Sequence, residues 1–258
     1  MYLGIDIGSS SSKAALINEN KELVATDLIN MGTGTKGPDE TISNVLRLAK
    51  ISRENIAFTV ATGYGRVTFS GADSQITEIS CHAKGVSFMM KGVRTIIDIG
   101  GQDAKVIKVG NDGKVKNFVM NKKCAAGTGR FLEVMARVLG CKIDELSDLA
   151  DKSTTDISIS SVCTVFAESE VISRLASGAA IEDVARGAHL SIAKRIVGMC
   201  SRVGYEPVIA MTGGVALNSN IVKVLSNELE SSVITAPHTQ AAGAIGAALF
   251  AYEKAYNK

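Results

Sequence analysis

Two aspartates set in the same local frame are the residues of this sequence best suited to chemistry. Asp6 sits in the apolar run Leu3-Gly4-Ile5-Asp6-Ile7-Gly8, which passes through Ser9-Ser10-Ser11-Ser12-Lys13 into Ala14-Ala15-Leu16-Ile17. Ninety-two residues later Val93 to Ile97 leads into Asp98-Ile99-Gly100-Gly101-Gln102-Asp103-Ala104-Lys105, and Val106 to Val109 leads out. Short runs rich in β-branched residues read as buried strands. The glycines between them let backbone N–H groups approach phosphate oxygens, the serines add hydroxyl donors, and Lys13 adds a point charge. Two carboxylates at such strand ends suit Mg²⁺, which keeps several waters and takes one or two carboxylates. A third turn, Thr212-Gly213-Gly214-Val215-Ala216-Leu217-Asn218, follows an apolar strand and offers bare backbone to an adenine or ribose. The pattern is not a Walker A loop, because Gly-x-x-x-x-Gly-Lys-Ser/Thr is absent. Strand, Asp, Gly, polar turn, Lys, strand occurs twice, which predicts a duplicated domain.

The cysteines form the second set. There are five and none lies in a Cys-x-x-Cys pair, which fits reduced thiols rather than a disulfide framework. Cys124 and Cys163 each stand shortly before an expected helix. A helix N-terminus carries about +0.5 charge and favours a thiolate. Two thiolates cannot complete a four-cysteine cluster, but a two-fold dimer would supply four. By composition alone the pair reads equally as two buried thiols. Cys81, Cys141 and Cys200 read as structural. Cys81 and His82 are helix neighbours whose side chains diverge by about 100°. That predicts a core thiol beside a surface or capping histidine rather than a metal site.

The elements that must position these groups follow from periodicity. Residues 1–8, Lys13 to Ile17 and Leu23 to Ile29 predict three antiparallel strands, joined at Asn18-Glu19-Asn20-Lys21 by a turn. Gly32-Thr33-Gly34-Thr35-Lys36-Gly37-Pro38 matches the dinucleotide fingerprint in letters. It follows a hairpin strand, however, and no acidic residue ends the next strand, so it reads as a structural turn before a helix over Asp39 to Ala49. Ile56 to Ala61 predicts a strand, Thr62-Gly63-Tyr64-Gly65-Arg66 a shaped loop, and Gln75 to Met89 a helix with Ile76, Ile79, Ala83 and Val86 on one face. Three strands then recur: Val93 to Ile99, Ala104 to Val109 and Lys114 to Met120, with Asn111-Asp112-Gly113 as the hairpin turn. A helix carrying Phe131, Val134, Met135 and Val138 comes next, then a short one near Ile143 to Ala150. Ile157 to Ser161 reads as a short strand. Helices to Leu175 and over Ile181 to Val203, a strand Pro207 to Met211, a helix to Leu229 and a strand Val233 to Thr235 follow. The last helix starts near Gln240, and its small face of Gly243, Ala244, Gly246, Ala247 and Ala248 suits close packing on a sheet.

Composition limits the function classes. With 46% hydrophobic and 21% charged residues the chain of 258 residues has material for a full core. A net charge of +2, no basic block and few aromatics argue against nucleic-acid binding. The apolar stretch Ala241 to Tyr252 is short of the roughly 20 residues a membrane helix needs. No signal peptide is visible, so a cytoplasmic protein with no membrane partner is expected.

Asp6 to Lys13, Asp98 to Lys105 and Thr212 to Asn218 together resemble the first phosphate, second phosphate and adenosine motifs of the actin, hexokinase and acetate kinase ATPase superfamily. The resemblance implies an α/β fold: two ribonuclease-H-like domains with a nucleotide cleft between them. The first would be residues 1–92 plus the C-terminal helix 240–258, and the second residues 93–239. It implies ATP/ADP with Mg²⁺, Asp6 and Asp98 as catalytic carboxylates, and nucleotide contacts from Gly8, Ser9, Ser10, Ser11, Ser12, Lys13, Gly100, Gly101, Gln102, Asp103, Gly213, Gly214, Asn218 and Gln240.

The segments Asn121-Lys122-Lys123-Cys124-Ala125-Ala126-Gly127-Thr128-Gly129-Arg130-Phe131 and Ser160-Ser161-Val162-Cys163-Thr164-Val165-Phe166-Ala167-Glu168-Ser169-Glu170 narrow this further. With the ATPase motifs they resemble the activator component (component A) of 2-hydroxyacyl-CoA dehydratases, in a wider group that includes ATPase subunits of benzoyl-CoA reductases. Val162 is a mild variation on the pattern. The resemblance implies that Cys124 and Cys163 hold one [4Fe–4S] cluster between two identical subunits of a homodimer. A ferredoxin or flavodoxin would load it, and ATP hydrolysis would drive one electron to a partner dehydratase. The alternatives are a reductase of another iron–sulfur partner, such as a benzoyl-CoA reductase or double-cubane protein, and a small-molecule kinase of the same fold.

Overall fold

The strand Tyr2–Ile7 (β1) is the centre of the first unit and is buried along its whole length. It pairs antiparallel with Ser12–Ile17 (β2), which pairs antiparallel with Leu23–Ile29 (β3). After the helix Gly37–Ala49 (α1), Phe58–Thr62 (β4) pairs parallel with β1 on its other side. The two-residue strand Ser74–Gln75 (β5) completes the sheet in the order β3-β2-β1-β4-β5. The turn between β2 and β3 is built by Asn18, whose Oδ1 accepts from the N–H groups of Asn20 (3.0 Å) and Glu22 (2.9 Å). Gln75 lies in β5, so the next helix, Glu78–Met89 (α2), begins later than its periodicity predicts. The Thr77 hydroxyl caps it by accepting from Ser80 N–H.

The second unit repeats the plan. Thr95–Ile99 (β6), Ala104–Val109 (β7), Val115–Asn121 (β8), Ile209–Thr212 (β9) and Val233–Thr235 (β10) form a sheet in the order β10-β9-β6-β7-β8. Read from its other edge this is the order of the first sheet, with β6 antiparallel to β7 and parallel to β9. Its helices are Gly129–Leu139 (α3), Leu146–Asp151 (α4), Thr164–Ala176 (α5), Ile181–Val203 (α6) and Ser219–Glu228 (α7). Ile97 and Ile99 of β6 pack with Phe131, Leu132 and Met135 of α3 and with Ile192 and Ile196 of α6 in one core.

The last helix, Ala242–Tyr256 (α8), returns to the first unit. Side chains alternate across β1. Leu3, Ile5 and Ile7 share a core with Ile42 and Val45 of α1, while Tyr2 packs with Ala244, Ala248 and Leu249 of α8. Gly4 lets the helix approach: a methyl group there would overlap the Ala244 carbonyl and the Ala248 N–H. A methyl on Gly246 would likewise strike the Cys81 carbonyl of α2. The small face of α8 is therefore a contact surface against both β1 and α2, as its residue types predict.

This computed structural model describes residues 1–121, 124–160 and 163–256. They group as one unit of Met1–Val93, Val109–Lys116 and the segment from Ala236, and another of Arg94–Lys108 and Asn117–Thr235. Three expectations are corrected. His82 is buried, not on the surface: its Nδ1 and the Glu78 carbonyl lie 2.9 Å apart. The short helix starts at Leu146 rather than Ile143. Finally, Ile157 to Ser160 form no strand; Ser161 and Val162 lie outside the described residues. Side chains take the place of a ladder partner: Asp183 accepts from Thr154 and Thr155 N–H, Glu170 accepts from Ser160 N–H, and the Ser191 hydroxyl donates to the Ser160 carbonyl.

Candidate functional site

The duplication extends to single residues around the two carboxylates. Asp6 stands opposite Lys13 across the β1–β2 pair and beside Thr62 in the parallel pair; Asp98 stands opposite Lys105 and beside Thr212. The hairpin turns close identically, Gly8 N–H on the Ser11 carbonyl and Gly100 N–H on the Asp103 carbonyl, each at 2.9 Å. Each third turn has one glycine in the same unusual conformation, Gly63 at φ 83° and Gly213 at φ 87°, followed by a short 3₁₀ helix. A methyl at Gly63 would overlap Asp6 Oδ1, and one at Gly213 would overlap the Ile99 carbonyl. Both positions therefore need glycine on backbone and steric grounds.

In the first unit Asp6 is buried, and its carboxylate makes no hydrogen bond or ion pair among the described residues. Its oxygens face bare backbone at Gly63 and Gly243 and lie near the His82 ring. Ser9 and Ser10 are exposed at the turn's tip, with Gly8, Ser11 and Lys13 half-buried. Ser12 is turned inward, its hydroxyl donating to the Met31 carbonyl at 2.8 Å. The Gly32 segment supports this turn, since Thr33 N–H donates to the Gly8 carbonyl at 2.9 Å and a methyl on Gly32 would overlap Ser9. That contact gives Gly32 to Pro38 a structural use. Gly65 packs equally closely on Thr33 and Ile7, so the Thr62 to Arg66 loop belongs to the same cluster of turns. Gln240 is half-buried just ahead of α8.

In the second unit the carboxylate is engaged. Lys105 Nζ donates to Asp98 Oδ2 at 3.0 Å and lies 2.9 Å from Asp103 Oδ2, and the Thr212 hydroxyl donates to Asp98 Oδ1 at 2.8 Å. Asp98 and Lys105 are both almost wholly buried. Gln102 is exposed at the tip, Gly100 and Gly101 are half-buried, and Gly214 is exposed in the third turn. Asn218 caps α7, its Oδ1 accepting from Ile221 N–H at 3.0 Å. Its Nδ2 donates to Nε2 of the fully buried His189, whose Nδ1–H donates to Asn220 Oδ1 at 2.7 Å. Burial holds His189 neutral, with its pKa pushed down to about 4. The side chain of Asn218 is thus committed inward. No sequence signal marked His189, because its partners arrive from α7, 29 and 31 residues away.

The thiols divide as the sequence suggests, with one correction. Cys81 and Cys200 are completely buried, and burial pushes each thiol up to about 12. Cys163 is half-buried and is the N-cap residue of α5. Cys124 is also half-buried, but it does not adjoin a helix end: α3 begins at Gly129 behind Thr128. The first N–H groups of α3 are taken by the phosphate-type turn. Gly129 N–H donates to the Gly100 carbonyl at 2.9 Å and Arg130 N–H to the Gly101 carbonyl at 2.8 Å. Among the described residues no group of three or more His, Cys, Asp or Glu gathers to hold a metal. Cys141 is half-buried as well, behind the C-terminal end of α3, so one described chain offers three partly accessible thiols. Cys124 and Cys163, the pair in the two motifs, are a donor set that fits half of a four-thiolate cluster.

Two α/β units of one sheet order, each with paired Asp–Gly turns, have the fold of the actin and hexokinase ATPases. A glucokinase of the ROK family from Streptomyces griseus shares this fold at 14% identity and a TM-score of 0.59, over 98% of this chain and 99% of that one. Within that fold the chain belongs to the BadF/BadG/BcrA/BcrD ATPase family, whose profile matches residues 3–251. It is 52% identical over 259 residues, 100% of each chain, to the activator of lactoyl-CoA dehydratase of Anaerotignum propionicum. A solved structure of the activator of the 2-hydroxyisocaproyl-CoA dehydratase from Clostridium difficile, with bound ADPNP, matches at 48% identity and a TM-score of 0.95, covering 100% of this chain and 96% of that one.

Proposed function

We propose that this chain is the ATP-hydrolysing activator of a 2-hydroxyacyl-CoA dehydratase, working as a homodimer. Cys124 and Cys163 of each copy would hold one [4Fe–4S] cluster, and these residues fit: both thiols are half-buried, and Cys163 stands at a helix N-terminus that favours thiolate. When bound, the cluster supplies a single electron at low potential, received from a ferredoxin or flavodoxin and passed to the dehydratase. The backbone at Gly8 to Ser11 and Gly100 to Asp103, with Lys13, would bind ATP phosphates, and Gly213 and Gly214 the adenosine. Gln240 is assigned with them. Asp6 would hold Mg²⁺ through water, and Asp98, fixed by Lys105 and Thr212, would orient the water beside it.

The observation that carries this reading is the double hydrogen bond from Gly129 and Arg130 N–H to the Gly100 and Gly101 carbonyls. A turn that changes shape with its phosphate must carry the start of α3, and with it the segment that begins at Cys124. The test is iron content in protein purified without oxygen. Cys124→Ala and Cys163→Ala are each expected to abolish iron binding and the brown colour, whereas Cys200→Ala keeps both. Full iron in Cys163→Ala would overturn the assignment, and a colourless wild type would point to a kinase instead.

A further inference from the structure

The second unit carries a cavity that none of the nucleotide or thiol readings uses. It has a volume of about 430 Å³ and is lined by Met120, Asn121, Lys194, Arg195, Gly198, Met199 and Arg202. Three of the seven are cations and none is acidic. Lys194 and Arg202 are exposed, and neither makes an ion pair among the described residues. The cavity is tied to the Cys124 segment on two sides. Asn121, on its wall, donates from Nδ2 to the Cys124 carbonyl at 2.9 Å and to the Ala126 carbonyl at 3.0 Å. The stem of Arg195 lies against Gly127, where an added methyl would fall 2.6 Å from Cδ. The wall is thus also the support of the proposed cluster loop.

We infer that this basic cavity is the docking point for the acidic face of the electron-carrier protein that loads the cluster, an inference that rests on the function proposed above. Its chemistry separates it from a nucleotide site. Such sites present backbone N–H groups from glycine turns or a helix N-terminus. Here the donors are long side chains on the C-terminal half of α6, around a methionine surface. Flexible cations of that kind attract carboxylates over a distance and release them again, which suits a carrier that must dissociate after each electron. Half-buried Met120 adds apolar contact to the same lining. The position fits as well, because electron transfer demands that the carrier's centre approach the thiol segment closely.

The test uses the iron-loaded dimer, stopped-flow mixing and reduced ferredoxin of net negative charge. The second-order reduction rate is expected to fall steeply with rising ionic strength. The double reversal Lys194→Glu/Arg202→Glu is expected to lose about 10-fold or more of that rate at low salt and most of the salt dependence. The neutral pair Lys194→Gln/Arg202→Gln should lie between, which guards against misfolding of the reversal. Photoreduced deazaflavin, a small reductant with no docking face, should reduce all three proteins equally. Equal ferredoxin rates in the three proteins would overturn the docking assignment while leaving the proposed function standing. Free phosphate or coenzyme A that binds the wild type, fails to bind the reversal and leaves its ferredoxin rate unchanged would overturn it in favour of a small-anion pocket. Failure of the wild type to take an electron from either reductant would instead break the proposed function.

Discussion

The two aspartate frames have the same backbone and opposite side-chain chemistry. Asp6 and Asp98 share strand position, cross-strand lysine, neighbouring threonine and glycine turn. Around Asp98 all of these are bonded: Lys105 at 3.0 Å, Thr212 at 2.8 Å, with Lys105 shared by Asp103. Around Asp6 neither the lysine nor the threonine bonds the carboxylate among the described residues, and the buried Thr62 hydroxyl has the Cys81 thiol as its neighbour instead. A duplicated fold has kept one copy as a finished ion-pair network and the other as an open carboxylate. A buried carboxylate with no protein partner is costly unless something else satisfies it. The first frame is therefore the one whose carboxylate is left for the Mg²⁺ of the proposed function, and the second the one that holds its own geometry.

The largest test of that difference separates activity from stability. Asp6→Asn and Asp98→Asn are each expected to lower ATP turnover by about 10²-fold or more. Only Asp98→Asn should also destabilise, by about 1–3 kcal/mol, because it strips a charge partner from buried Lys105. Asp6→Asn should melt at or above the wild-type temperature. Equal melting losses in the two variants would erase the distinction. A second effect belongs to the second unit alone. His189 is held near pKa 4 against an ordinary value of about 6.5. The unfolded chain thus binds the extra proton first as pH falls, so this contribution is complete above about pH 6.5. Roughly 3 kcal/mol of it is lost by about pH 4. Denaturant melts from pH 7 to 4 should show that loss, and His189→Gln should flatten it.

Gly63→Ala and Gly213→Ala should each cost about 1–3 kcal/mol for backbone strain, with similar values because the conformations match. A clear inequality in chemical denaturation would mean that the two turns are less alike than their angles. The smallest contrast lies in the threonines. Thr212→Val should cost about 1 kcal/mol for a lost hydrogen bond to a buried charge, whereas Thr62→Val should be neutral or slightly stabilising.

Local pattern revealed most of the frame. β3, β7, α6 and β10 begin and end where periodicity places them, and the Asp-to-Lys spacing exposed the duplication before any pairing was known. Ile157 to Ser160 misled because alternation of apolar and polar residues specifies an exposed edge as well as a strand. Glu170 and Ser191, which bond the Ser160 backbone, and Asp183, which bonds Thr154 and Thr155 just ahead of it, are all distant in sequence. Cys124 misled for the same reason: nothing nearby says that the first N–H groups of α3 are spent on Gly100 and Gly101. The difference between Asp6 and Asp98 was only partly legible: Ser11 stands in the first turn where the second has Asp103, the second partner of Lys105, but the bonds of Lys105 and Thr212 to Asp98 have no trace in residue type.

The close contact of Gly4 with α8 has a consequence for how the protein is made. Tyr2, Ala15, Ile17, Phe58 and Val60 lie on a sheet face whose apolar cover comes mainly from α8. The ribosome synthesises that face before its lid, with most of the second unit in between. Throughout elongation the nascent first sheet carries an uncovered apolar surface, with bare peptide groups at Gly4 where α8 will seat. The core of the second unit contains no residue of α8 among the described residues, so its closure does not wait for the helix that completes the first unit.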